Sequence, residues 1–291
     1  AVEKGYSDLT IREYSGDLNI FYDFLTENAD QEIPDITEIS KYQVSEFLSD
    51  VILEHNNSPV TRNRKLYSLR AFFKFLKKFE YIEENPTEGI EASRTEKRAE
   101  PIYLKLDDAR YYIRSIKSYN GINVKRDLAI VKLFLYAGLR ISELVNLNRT
   151  DINFADQSIK FFGKGNKERY VPLHADVVQA VRNYLPERNQ IKPSGEDARQ
   201  ALFLSRQGNR INVRTIQMFV KKYARRAGLR NADKITPHKL RHTFASLLYQ
   251  KTKDLKVLQD LLGHTDISTT QIYTHTDTEQ RKEAIDDLPE F

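Results

Sequence analysis

The chain has 291 residues, 40% hydrophobic and 30% charged, with a net charge of +5; at ~150 residues per domain that length suggests two compact units, each with its own core. It has no Cys, which excludes disulfides, thiolate nucleophiles and Cys-ligated zinc. Lys132 interrupts the longest apolar stretch, Leu128 to Leu139, and the N-terminus lacks the basic start and apolar run of a secretory signal, so the expectation is a cytoplasmic protein without a membrane span.

The charge is unevenly distributed. Residues 1–90 carry 10 Lys+Arg against 17 Asp+Glu, or −7, which leaves 36 against 24, or +12, for residues 91–291. A basic C-terminal part suits a polyanionic partner, because each phosphate neutralised releases condensed counterions.

In chain order, Tyr6 to Leu25, Ile39 to His55 and Pro59 to Phe79 carry apolar residues at helical spacing. In the third helix Leu66, Leu69, Phe72, Phe73 and Leu76 share one face, and Arg70, Lys74, Lys77 and Lys78 fall beside it. From Ser58 to Lys78 there are seven basic residues and no acidic one. One stripe can pack while the other meets phosphates, or the basic stripe is simply solvated; Arg62, Arg64, Lys65, Arg70 and Lys74 are the candidate DNA-binding residues. Asn85-Pro86-Thr87 ends this unit, and Glu91 to Pro101 reads as a polar linker.

From Tyr103 the chain reads as mostly helical, with helices over Val213 to Ala227, His238 to Gln250, Leu255 to Leu262 and Ser268 to His275. The exception is a hairpin: β-prone Ser158 to Phe162 and Tyr170 to Leu173 flank a glycine-bearing loop that presents Lys164 and Lys167. The expected fold class is therefore mainly α, an all-helical N-terminal domain plus a mostly helical C-terminal domain with a small β-sheet or hairpin.

Three patterns in this second part can carry chemistry. His238-Lys-Leu-Arg241 places two cations at i and i+3 on one helix face. Gly138-Leu-Arg140-Ile-Ser-Glu143 sets an arginine at a helix-to-helix turn, with Gly138 as a C-cap. Leu262-Gly-His264 precedes a short helix bearing Tyr273. Taken singly, each has a plain structural meaning: a surface pair or cap, an intrahelical ion pair, a core tyrosine.

Their order and spacing over about 130 residues resemble the tyrosine recombinase family, and specifically its Xer type. The matching positions are Arg140, Lys164 in Gly-Lys-Gly-Asn-Lys-Glu-Arg, His238, Arg241, His264 and Tyr273. The run Asn63 to Phe73 is similar to that family's core-binding domain. The resemblance implies a core-binding domain over 1–90, a linker over 91–101 and a catalytic domain over 102–291. It implies double-stranded DNA as partner, a homotetramer on two recombination sites, exchange of a C-terminal helix (here Thr278 to Asp287) between protomers, and a four-way junction. The compact length leans towards chromosome dimer resolution rather than mobile-element integration.

The chemistry fits phosphoryl transfer. Two guanidiniums, Arg140 and Arg241, can neutralise charge building on the non-bridging oxygens. Tyr273 supplies a nucleophile whose ordinary pKa of about 10 calls for cationic neighbours or a base. His238 is the candidate to take its proton, and Glu143 to orient Arg140 or His238. The resemblance places Lys164 as the acid for the departing 5′ oxygen and His264 as a hydrogen-bond donor to the phosphate. No cofactor is expected: no phosphate loop ending in Lys-Ser or Lys-Thr appears, and His238 and His242 lack a third metal ligand while Arg241 repels a cation. Two further readings remain, a type IB topoisomerase-like relaxation activity and a non-catalytic DNA-binding protein.

Overall fold

In the computed structural model, residues 8–27, 35–53, 58–94, 103–162, 168–262 and 285–289 are described. The chain divides into two compact units, Ala1–Ala99 and Glu100–Phe291.

The N-terminal unit packs three helices, α1 (Asp8–Glu27), α2 (Lys41–Leu53) and α3 (Pro59–Lys78). Helix α3 starts where the sequence supplies both a cap and a pre-set φ: Ser58 accepts from the Thr61 N–H at 3.3 Å, and Pro59 opens the first turn. Its apolar stripe buries Leu66, Leu69 and Phe73. Phe21 meets Phe47 and Phe73 edge-on, with centroids 5.0 and 6.3 Å apart; burying each ring stabilises the unit by roughly 1.5–3 kcal/mol. The chain after α3 is fastened back onto it. Arg62 donates to the Glu91 carbonyl at 3.2 Å, and Asn63 exchanges two bonds with the Ser93 backbone, so the start of the expected linker is tied to the helical unit.

The C-terminal unit is built around α5 (Val124–Ala137), which is buried along most of its length. Against it pack α4 (Leu106–Lys117), α7 (Ala175–Gln190), α9 (Val213–Arg226) and α10 (Pro237–Thr252); α6 (Ile141–Asn146) packs on α9, α11 (Leu255–Leu262) on α10, and α8 (Glu196–Gln200) belongs to a small separate apolar cluster. Buried tyrosines satisfy their hydroxyls inside the core: Tyr112 donates to the Val220 carbonyl at 3.0 Å, and Tyr223 donates to Asp127 at 3.1 Å. An antiparallel sheet joins β1 (Ile152–Asn153), β2 (Ser158–Phe162) and β3 (Glu168–Pro172) in that order. The β2–β3 register pairs Ile159 with Val171 and Phe161 with Arg169. The first described residues of this unit are anchored early, since the Leu104 N–H donates to Thr243 Oγ1 at 2.9 Å, deep under α10. Near the chain end, Ile285 and Leu288 are buried in the same core, and Tyr136 donates to the Pro289 carbonyl at 3.4 Å. No helix among the described residues is long and apolar enough to cross a membrane.

Helices expected over 213–227, 238–250 and 255–262 are present within a residue or two of those bounds. The helix expected over Ser268 to His275, most of that over Thr278 to Asp287, and the 163–167 loop lie outside the described residues.

Candidate active site

Gly138 sets the geometry. It ends α5 with φ +60°, and a Cβ there would meet the Phe244 ring at 2.4 Å, so only glycine fits both the backbone and the close approach of α10. The turn it makes delivers Arg140 to the N-cap of α6 in extended conformation. The Glu143 carboxylate reaches back, accepting from the Arg140 N–H at 2.7 Å and from Arg140 Nη1 at 2.8 Å.

Helix α10 supplies the second guanidinium. Thr236 caps it, accepting from the Lys239 N–H at 3.3 Å, and Pro237 sits in the first turn. Arg241 lies one turn in, 7% exposed. It donates to the carbonyls of Gly138 and Leu262, the latter at 2.8 Å, and lies 3.7 Å from Glu143. One residue thereby ties together the end of α5, the end of α11 and the Glu143 carboxylate. Burial, with Arg140 nearby, lowers the Arg241 pKa to about 10, which leaves it cationic at neutral pH. His238 is exposed on the same helix, its ring 4.7 Å from that of His242 in an edge-to-face arrangement.

Motif reasoning did not single out a third cation. Arg169, on β3, approaches Glu143 Oε1 at 3.3 Å from the sheet side and lies 4.8 Å from the centroid of the Phe161 ring. Its only sequence signal was its place at the end of Gly163-Lys-Gly-Asn-Lys-Glu-Arg169. Arg140, His238 and Arg241 are thus in the C-terminal unit, with both arginines drawn to one carboxylate. Lys164, His264 and Tyr273 lie outside the described residues.

On α3, Lys74 is exposed and Arg62, Arg64 and Arg70 are partly so. Lys65 is 4% exposed, and its ammonium points at Asp17 at 3.3 Å. That cation faces its own core because Asp17, only 1% exposed, also collects Arg64 at 2.7 Å and Ser68 at 2.7 Å.

Two guanidiniums, Arg140 and Arg241, held on the Glu143 carboxylate are suited to meet an anionic phosphorus centre. A model of the phage integrase family matches residues 109–280, and one of the phage integrase N-terminal SAM-like domain matches residues 1–79. The chain belongs to the phage integrase family of tyrosine recombinases, enzymes of DNA strand cleavage and ligation, and to its Xer type. It is 39% identical to the tyrosine recombinase XerC of Caldanaerobacter subterraneus subsp. tengcongensis, over 98% of this chain and 83% of the relative. It is 33% identical to the tyrosine recombinase XerD of Staphylococcus epidermidis, over 96% and 92%. Among solved structures, XerH recombinase bound to palindromic difH substrate, a post-cleavage complex, superposes with a TM-score of 0.73 at 25% identity. That match covers 89% of this chain and 74% of XerH.

Proposed function

We propose that the chain recombines DNA at specific sites through Tyr273. The phenolic oxygen attacks a backbone phosphorus and forms a 3′-phosphotyrosyl bond as the bond to the 5′ oxygen breaks. His238 takes the phenolic proton, and Lys164 protonates the departing oxygen. Arg140 and Arg241 neutralise charge on the non-bridging oxygens, and His264 donates a hydrogen bond to the same phosphate. A 5′ hydroxyl from a second duplex then attacks the phosphotyrosine and releases Tyr273, which passes the strand through a four-way junction. The linkage conserves the phosphodiester's free energy, so the cycle draws on no metal or high-energy cofactor.

The observation that carries this reading is the convergence of Arg140 and Arg241, from separate helices, on the nearly buried Glu143 carboxylate. Residues 102–291 act as the catalytic domain. Residues 1–90 act as the core-binding domain, meeting the duplex with Arg62, Arg64, Arg70 and Lys74. Relatives named XerC and XerD support chromosome dimer resolution in the cytoplasm. The working assembly is a homotetramer on two sites that passes its C-terminal helix, Thr278 to Asp287, between protomers.

Incubation with nicked suicide duplexes from its own genome tests the mechanism. Wild type is expected to form a covalent protein–DNA adduct at discrete sites, and Tyr273→Phe to bind those duplexes without forming one. An undiminished adduct in Tyr273→Phe overturns the mechanism. Relaxation of any supercoiled plasmid by a monomer would move the chain to the topoisomerase reading.

A further inference from the structure

Arg169 is held in an unusual way for a surface hairpin. Its Nη2 meets Glu143, its plane lies over Phe161, and its Nε and Nη1 are sealed from solvent with no hydrogen-bond partner among the described residues. Burying unpaired N–H groups of a cation opposes folding, and an apolar side chain could cover Phe161 without that cost. Packing alone does not account for an arginine here.

The Glu143 carboxylate suggests what does. Oε1 receives Arg140 and Arg169, while Oε2 receives the Arg140 N–H and faces Arg241. A carboxylate has about four acceptor positions; three of these are taken by hydrogen bonds, and Arg241 stands 3.7 Å from Oε2, which fixes the orientation of the group. Three arginines against one glutamate leave a net charge of +2 in the cluster; without Arg169 it falls to +1, and the negative charge that Oε1 shares between Arg140 and Arg169 falls on Arg140 and Arg241 alone, which offsets more of the charge meant for the phosphate.

We propose that Arg169 is a positioning residue for strand cleavage: from β3 it holds Glu143, and through it Arg140 and Arg241, in place against the sheet. This rests on the recombinase reading above. Arg169 itself does not touch DNA, so its removal slows the chemical step and leaves duplex affinity alone.

The test uses the nicked suicide duplex mapped for the wild type, with single-turnover adduct formation and duplex Kd measured separately. Arg169→Met is expected to slow cleavage by about 10–100-fold with Kd within twofold of wild type, and Arg169→Lys, which returns a single donor to Glu143, to recover part of the rate. In a Glu143→Gln background the Arg169→Met penalty should largely disappear, because the residue acts through that carboxylate. If Arg169→Met fails to fold, Arg169→Gln takes its place with the same expectation. Wild-type cleavage by Arg169→Met, no recovery in Arg169→Lys, or an undiminished penalty in the Glu143→Gln background overturns the proposal. No adduct from wild type itself overturns the recombinase reading, and this one with it.

Discussion

Arg241, proposed to meet the phosphate, is also structural. Its guanidinium is spent partly on the carbonyls of Gly138 and Leu262, which aims the remaining edge through geometry that a lysine cannot copy. Arg241→Lys is expected to lower single-turnover cleavage by roughly 10²–10³-fold while gel-shift affinity stays near wild type. The same reasoning makes Gly138 sensitive to a single methyl. Gly138→Ala forces a positive φ on an L side chain and drives Cβ into Phe244, so a loss of about 1–3 kcal/mol is expected in a thermal melt, with cleavage impaired further as the Arg241 anchor shifts.

At this scale the candidate site was partly legible. Arg140, His238 and Arg241 were readable because each sits in a fixed local frame: a glycine C-cap, a proline-started helix, an i,i+3 face. Arg169 was not, because its meaning comes from the cross-strand Phe161 and from a glutamate on another element. Lys65 was counted with the DNA-binding candidates as one of the basic residues of α3, yet at about 100° per residue it falls on the face of Leu69, Phe72 and Leu76, and tertiary packing sets Asp17 against it.

Among the elements, Arg210 works as a clamp between the end of α6 and the start of α8. It donates to the carbonyls of Val145 and Leu147 at 3.1 Å each, to Asn148 at 2.9 Å and to both oxygens of Asp197. Arg210→Ala leaves those carbonyls without this donor and is expected to cost about 1–3 kcal/mol, read by denaturant unfolding. The Arg210 hydrogen bonds hold the Asp197 carboxyl below its ordinary value of 3.8. A depressed carboxyl contributes stability above its unfolded pKa and loses it as pH falls through the folded value. Asp197→Asn should therefore remove a small part of the melting-temperature decline below pH 3.8, small because the group is exposed. The helices with clear periodicity or start signals, α3, α9, α10 and α11, were legible. Strand β1, two residues long, offered no alternation to read, and α7 carries Pro186 in its interior, a signal that argues against helix.

For the whole molecule, the charge is split, −7 over residues 1–90 and +12 over residues 91–291, which predicts salt-sensitive DNA binding. Binding should weaken steeply with salt, each neutralised phosphate adding about 0.9 to the slope of log affinity against log salt. Lys74→Gln, at an exposed position, is expected to reduce that slope by about 1. Lys65→Met should leave the slope unchanged and instead lower the melting temperature of the N-terminal unit, because it removes the buried cation from Asp17 and leaves that carboxylate to Arg64 and Ser68. Equilibrium titrations at several salt concentrations separate the two.

The bond from the Leu104 amide to Thr243 carries a mechanical consequence. Thr243 also donates to the Lys239 carbonyl at 2.9 Å, so the point where the backbone enters the C-terminal unit is stitched to the helix holding His238 and Arg241. The entering backbone and the turn of α10 between Lys239 and Thr243 are therefore fixed at one hydroxyl, and whatever displaces one displaces the other.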